Sequence, residues 1–217
     1  MSDVRAAGVS EYPAVAALLG QAFCDDPSLG PVVRGSGDPA ARLARMFAQQ
    51  IEEVFAREGA VDVLTDAGGR LVGASLWAEP GAWGSSWWAG LRALPASALA
   101  LGRCLPAALR SERACASRHP TFPHWYLYVV GAAVDARGHG VGTALLRHGL
   151  SRADAEGAPA YLEATTPRSA LLYERWGFVE MGPVPNPLGD QEAVGMWRPP
   201  RRGVQGAPGV EESLRSR

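Results

Sequence analysis

Two periods of apolar residues alternate along the chain and mark out its elements. From Trp125 to Val134 it runs WYLYVVGAAV, aromatic and β-branched and too short for a helix with caps, which predicts a buried strand. Three glycines in five positions follow, Gly138, Gly140 and Gly142. Apolar residues then return at helical spacing (Val141, Leu145, Leu146, Leu150, Ala153), which predicts a helix closed by Gly157 and Pro159. Ala160–Ala164 is the next strand, laid parallel to the first through a right-handed crossover. Thr165-Thr166-Pro167 opens a short helix over Arg168 to Trp176, capped by Gly177.

Upstream, Val4 to Ala7 reads as a short strand, and Ser10 as the cap of a helix with Val15, Leu18, Leu19, Ala22 and Phe23 on one face. Asp38 or Pro39 starts a second helix reaching about Glu58. Ala60 to Thr65 and Leu71 to Trp77 form a hairpin across Asp66 to Arg70. A helical insertion occupies about 81–120, and Phe178 to Met181 with Glu192 to Trp197 make a final hairpin. The order is β-α-α-β-β-(helical insertion)-β-α-β-α-β-β. It predicts a single α/β domain over 1–198, and a tail over 199–217 with too little apolar surface to order.

Composition narrows the function classes. The 217 residues, 47% hydrophobic and 20% charged, suit one globular domain with a full core. A formal net charge of -1 gives no bulk attraction for nucleic acid or an anionic membrane. Cys24, Cys104 and Cys115 are odd in number and lack metal-binding spacing, which points to a reducing compartment without disulfides or zinc. The N-terminus has no apolar signal core, and the Ala/Leu-rich stretch Leu94 to Leu109 is interrupted by Pro95, Arg103 and Pro106. A cytoplasmic location is expected, with no metal centre.

The glycine turn carries the chemistry. A strand, a glycine turn and a helix start expose several backbone N–H groups at the positive end of a helix dipole, with no Cβ atoms to hold a phosphate away. A Walker loop fails here, because all 21 basic residues are arginines and the pattern needs lysine. A dinucleotide-binding turn fits poorly, with Thr143 where its third small residue belongs. Arg137, Gly140 and Gly142 meet a third pattern, Arg/Gln-x-x-Gly-x-Gly/Ala, which resembles the acetyl-CoA signature of the GNAT acetyltransferases.

The element order is also that of GNAT proteins, and a second match supports the resemblance. Ala160 to Phe178, AYLEATTPRSALLYERWGF, is similar to a segment of puromycin N-acetyltransferase-like members, and the Asp25-Asp26-Pro27 loop and the strand end Trp77 to Pro80 resemble that subgroup too. The resemblance implies the GNAT fold, a mixed twisted sheet of about seven strands with flanking helices. It implies acetyl transfer from acetyl-CoA to a primary amine of a small molecule, by direct attack in a ternary complex. A protein acceptor and a silent CoA-binding module are the alternatives, and a homodimer is compatible with it.

Residue by residue, the resemblance places the pantetheine arm against the main chain of Val130, Ala132 and Val134, and the pyrophosphate on Gly138, Gly140, Val141, Gly142 and Thr143 beside Arg137. Two positions depart from the family: many members carry proline where Val134 stands and asparagine where Thr166 stands, a position that binds the arm. Tyr173 occupies the family tyrosine position; its phenol, with an ordinary pKa near 10, can protonate a leaving thiolate. For the base the residues leave three options. Glu163 is a carboxylate in an apolar strand, His124 stands at the mouth of the central strand where exposure is expected, and water alone is the third. Asp25 and Asp26, set against a helix end that disfavours anions, and the tryptophan cluster headed by Trp83 with Trp87 and Trp88, are candidate acceptor contacts.

Overall fold

The computed structural model describes residues 3–35, 37–82 and 98–201. Seven strands form one mixed sheet: β1 (Arg5–Ala6), β2 (Gly59–Thr65), β3 (Leu71–Ala78), β4 (Trp125–Ala132), β5 (Ala160–Ala164), β6 (Val179–Val184) and β7 (Ala193–Arg198). Their order is β1-β2-β3-β4-β5-β7-β6. Among the described strands only β4 and β5 pair in parallel, joined by a crossover helix. The helices are α1 (Tyr12–Phe23), α2 (Pro39–Gln50), α3 (Leu105–Ala116), α4 (Val141–Ala155) and α5 (Pro167–Glu174).

Side-chain alternation along β4 and β5 divides the core into two layers. Tyr126 and Tyr161 point toward α1 and α2, into a core with Val15, Leu19, Leu43, Phe47 and Ile51. Trp125, Leu127 and Leu162 point the other way, against Leu146 and Leu150 of α4 and Tyr173 of α5. α4 lies close to the sheet because Gly149 has no side chain; a Cβ there would enter the indole of Trp77. Two bidentate ion pairs fix the C-terminal end of α4. Arg152 grips the buried Asp62 of β2 at 3.0 and 2.7 Å. Asp154 receives Arg198, at the end of β7, at 2.7 and 2.9 Å.

Three local details differ from the sequence expectation. Ser10 does not cap the first helix: it sits in a 3-10 turn, Val9–Glu11, and the longer Glu11 carboxylate reaches back to the Gly8 N–H at 2.8 Å while pairing with Arg5. The second helix stops being α-helical at Gln50 and continues as a π turn, Ile51–Phe55, in which the Ala56 N–H bonds Ile51 O at 2.8 Å. The central strand ends at Ala132, because Val134 belongs to a 3-10 turn, Val134–Ala136. Asp38 caps α2 by accepting from Ala41 N at 2.9 Å, and Thr166 caps α5. Trp83, Trp87, Trp88 and the tail from residue 202 lie outside the described residues.

Candidate active site

The two parallel strands pair over three rungs only, Trp125 with Ala160, Tyr126 with Tyr161 and Leu127 with Leu162. Both strands continue beyond that point, β4 held by β3 and β5 by β7. Against β3, Leu76 faces Val129 and Trp77 faces Leu127, so Tyr128 is the extra residue of a bulge at the point of divergence. A bulge bends its strand and increases the local twist, which turns the rest of β4 away from β5. Tyr128 is clamped there from α2: its hydroxyl accepts from Gln50 Nε2 at 2.9 Å, and its ring lies 5.3 Å from that of Phe55 on the π turn. The result is a wedge-shaped opening, in which β4 from Val129 to Ala132 has no rung to β5. Val130 and Ala132 lie on that stretch, whereas Val134 sits past its end and is exposed.

The glycine turn closes the wide end of the wedge. Gly138 and Gly140 both have φ of +81°, the left-handed region that a side chain disfavours, and Gly140 is the N-cap of α4. The first intrahelical bond runs from Ala144 N to Gly140 O at 2.9 Å, so the N–H groups of Val141, Gly142 and Thr143 have no intrahelical acceptor. Nothing lies within 4 Å of a Cβ built on Gly138, Gly140 or Gly142, which leaves the space over these amides open. The exposed Arg137 donates to Ala22 O at 3.1 Å, across the C-terminal turn of α1.

At the narrow end, one residue past the last β4–β5 rung, stands Glu163. Its Oε2 accepts from the Tyr126 hydroxyl at 2.6 Å. Its Oε1 is buried, with no hydrogen-bond partner among the described residues, and lies 3.8 Å from His119 Nδ1. His119 in turn meets His124, Nε2 to Nε2, at 3.1 Å. His124 is buried rather than exposed, because the rings of Tyr161 and Trp197 pack against it at 5.5 Å. Burial pushes its pKa down from the usual histidine value, with the Phe122 carbonyl opposing. His119 is absent from the sequence-based candidates: it lies in the insertion, 44 positions before Glu163, and no local pattern marks it.

Tyr173 lies in the other layer, buried with its ring 5.9 Å from that of Phe178. Burial first, and the nearby Asp26 second, push its phenol up to about 12. Asp26 reaches this neighbourhood because its Oδ2 accepts from Thr165 Oγ1 at 2.8 Å, while its Oδ1 accepts from Ser28 N and Leu29 N at 2.8 and 3.0 Å. The carboxylate thus finds its compensation within the chain. Asp25 is exposed and lines a cleft of about 480 Å³ with Arg34, Asp190 and Gln191, between the loop after α1 and the loop before β7. Thr166 spends its hydroxyl on the α5 cap, accepting from Ser169 N at 3.1 Å.

The comparisons match this architecture. A family model described as the acetyltransferase (GNAT) family matches residues 108–178. A solved structure from Corynebacterium glutamicum, described as a histone acetyltransferase and related acetyltransferase, is 36% identical, covers 94% of this chain and 99% of its own, and superposes with a TM-score of 0.76. The chain belongs to the GNAT acetyltransferase family. Other GNAT-type structures share the fold at lower identity. Arylalkylamine N-acetyltransferase 2 from Aedes aegypti is 14% identical with a TM-score of 0.66, covering 89% of this chain and 96% of its own. The ribosomal-protein-S18-alanine N-acetyltransferase from Escherichia coli is 16% identical with a TM-score of 0.56, covering 96% and 100%. GNAT acetyltransferases draw their acyl group from acetyl-CoA, and the residues here fit that molecule: a stretch of β4 with no rung to β5 for an amide-bearing arm, and open helix N–H groups for a pyrophosphate. Among the described residues no helix is long and apolar enough to cross a membrane.

Proposed function

We propose that this GNAT protein acetylates the primary amine of a small molecule by direct attack within a ternary complex. The observation that carries the reading is the wedge between β4 and β5, with a buried carboxylate oxygen of Glu163 lacking a hydrogen-bond partner at its apex. A buried, unsatisfied acceptor is costly in the free protein and favours a ligand that brings a donor, as an ammonium group does. In this reading the main chain of Val130, Ala132 and Val134, with Thr166, binds the pantetheine arm. The amides from Gly138 to Thr143, with Arg137, bind the pyrophosphate. Acetyl-CoA supplies the activated acyl group. Glu163 takes a proton from the amine, and Tyr173 holds a proton on its phenol for the departing sulfur.

A small acceptor is supported by the resemblance of 160–178 to puromycin N-acetyltransferase-like sequences, and by Asp25 in a cleft small enough for a compact cation. The description of the Corynebacterium glutamicum relative as a histone acetyltransferase favours a second reading, a protein acceptor. Thiol release from acetyl-CoA, measured over a panel of small primary amines and of peptides with free amino groups, separates the two. Turnover with small amines and not with peptides is expected. Turnover with peptides alone overturns the first reading, and no turnover with either leaves CoA binding without catalysis.

A further inference from the structure

We propose that Tyr161 is a second contact for the acceptor's amine, its phenol oxygen and Glu163 Oε1 forming a two-oxygen clamp for a primary ammonium group. The proposal rests on the reading above that Glu163 meets the amine. Tyr161 and Glu163 stand two positions apart on β5 and therefore face the same layer. Tyr161 is 1% exposed, and its hydroxyl has no hydrogen-bond partner of good geometry among the described residues. Glu163 Oε1 is in the same condition: Oε2 takes the Tyr126 hydroxyl, and His119 Nδ1, at 3.8 Å, is beyond hydrogen-bond reach of Oε1. Burial first, then the charge and close approach of Glu163, push the Tyr161 phenol up, so it stays neutral. The two groups thus come near each other without completing a bond. Two buried oxygens left short side by side are costly, and a ligand that brings several donors satisfies both.

A second observation marks the same spot. Gly195 of β7 is buried opposite Glu163, and a Cβ built on it would stand 2.9 Å from the Tyr161 oxygen. Its φ is not positive, so no turn calls for glycine there. The missing side chain leaves the phenol oxygen its place. The rings of His119, His124 and Tyr126 pack around that of Tyr161 at 4.9, 5.5 and 5.8 Å and hold it in one orientation. Two acceptors, one of them anionic, select a cation with N–H bonds enough to reach both, and a primary ammonium has three. In the step itself one N–H bond breaks toward Oε1 and its electron pair stays on nitrogen. The neutral amine keeps two hydrogens. One remains on the Tyr161 oxygen and orients the nitrogen while its lone pair meets the acyl carbon.

Tyr161→Phe keeps the ring and deletes the oxygen. A hydroxyl buried without a partner adds nothing to the fold, so the variant should melt at or above the wild-type temperature; a clearly lower Tm overturns the premise. With the acceptor turned over fastest in the panel above, the acceptor KM should rise roughly ten- to a hundredfold, the worth of one hydrogen bond to a charged group, while kcat and the KM for acetyl-CoA stay unchanged. An unchanged acceptor KM overturns the clamp. Gly195→Ala should raise the same KM by displacing the oxygen and add nothing on top of Tyr161→Phe, whereas additive losses overturn the link between them. Methylammonium is a probe that needs no turnover. In protein carrying carbon-13 at tyrosine Cζ, the signal lost in Tyr161→Phe should move with methylammonium chloride and not with tetramethylammonium chloride, which has the charge but no N–H. An equal response to both salts, or none, counts against the clamp. Glu163→Gln separates this proposal from the reading beneath it. Wild-type kcat in Glu163→Gln, or no turnover of any amine by the wild type, removes that reading and the clamp with it. A lost kcat there beside an unaltered Tyr161→Phe removes the clamp alone.

Discussion

Tyr173 combines two properties at the scale of one residue: a phenol that never ionises near neutrality, and a ring that fills a core. If it protonates the leaving sulfur, Tyr173→Phe keeps the packing and deletes the proton. The expected loss in kcat is roughly 10²- to 10⁴-fold with acetyl-CoA affinity little changed, read by steady-state kinetics beside a thermal melt of the same preparation. Its raised pKa also sets a sign. The folded value of about 12 exceeds the ordinary 10, so the stability tied to the protonated phenol is complete below pH 10 and is lost as pH climbs toward 12. Tyr126, Tyr128 and Tyr161 are shifted the same way, so four of the five tyrosines resist ionisation. A spectrophotometric titration should show most phenolate appearing together with unfolding, well above pH 10; phenolate from four tyrosines in a still-folded protein near pH 10 contradicts this. Tyr173 and Glu163 stand out as candidates in the sequence because each sits inside a motif. His119 does not, since the contact with Glu163 that singles it out is made only in the folded chain.

Among the elements, α4 carries two glycines with opposite roles. Gly142 is in its first turn with open space around it, so Gly142→Ala should raise helix stability by a few tenths to about 1 kcal/mol. The added methyl stands where the pyrophosphate is proposed to approach, so acetyl-CoA affinity should fall, as calorimetry will show. Gly149 faces Trp77, and Gly149→Ala should destabilise by about 1–3 kcal/mol despite the same gain in propensity, because the methyl overpacks the core. Asp62→Asn leaves Arg152 facing a neutral partner. A loss of about 2–3 kcal/mol in a denaturant melt is expected, less than for a fully buried pair because Arg152 is 25% exposed. The periodicity of α4 was legible from Val141 to Ala153 because one stripe of the helix is buried along its whole length. The π turn after Gln50 was not, since apolar spacing across Ile51, Val54 and Phe55 suits an α-helix equally well and the widened turn answers to the ring of Tyr128.

For the whole molecule, strand order followed from pattern and connection rules. Turn glycines punctuate the strands, and a parallel pair needs a crossover helix. The wedge itself is not written in any periodicity, because WYLYVVGA reads as an unbroken strand and the bulge at Tyr128 arises from register against β3. The glycine turn was visible as composition, while the positive φ of Gly138 and Gly140 gave it a geometry.

The three-rung junction also suggests where the protein can be taken apart. A cut at the exposed Gly157 yields one piece carrying β1 to β4 with α4 and another carrying β5, α5, β6 and β7. Across the junction run three backbone rungs, the Asp154–Arg198 pair, the Tyr126–Glu163 and Thr165–Asp26 hydrogen bonds, and packing in both layers of the core. The proposed acetyl-CoA contacts fall on both pieces, the glycine turn on one and Thr166 with Tyr173 on the other. A ligand that binds only the joined form pulls association by mass action, worth about 2.7 kcal/mol when present at a hundred times its Kd. Two fragments carrying a split reporter should therefore reassemble more tightly with acetyl-CoA than without it, making the protein a sensor for the molecule it is proposed to consume. Equal reassembly in both conditions would mean that the ligand grips one half alone.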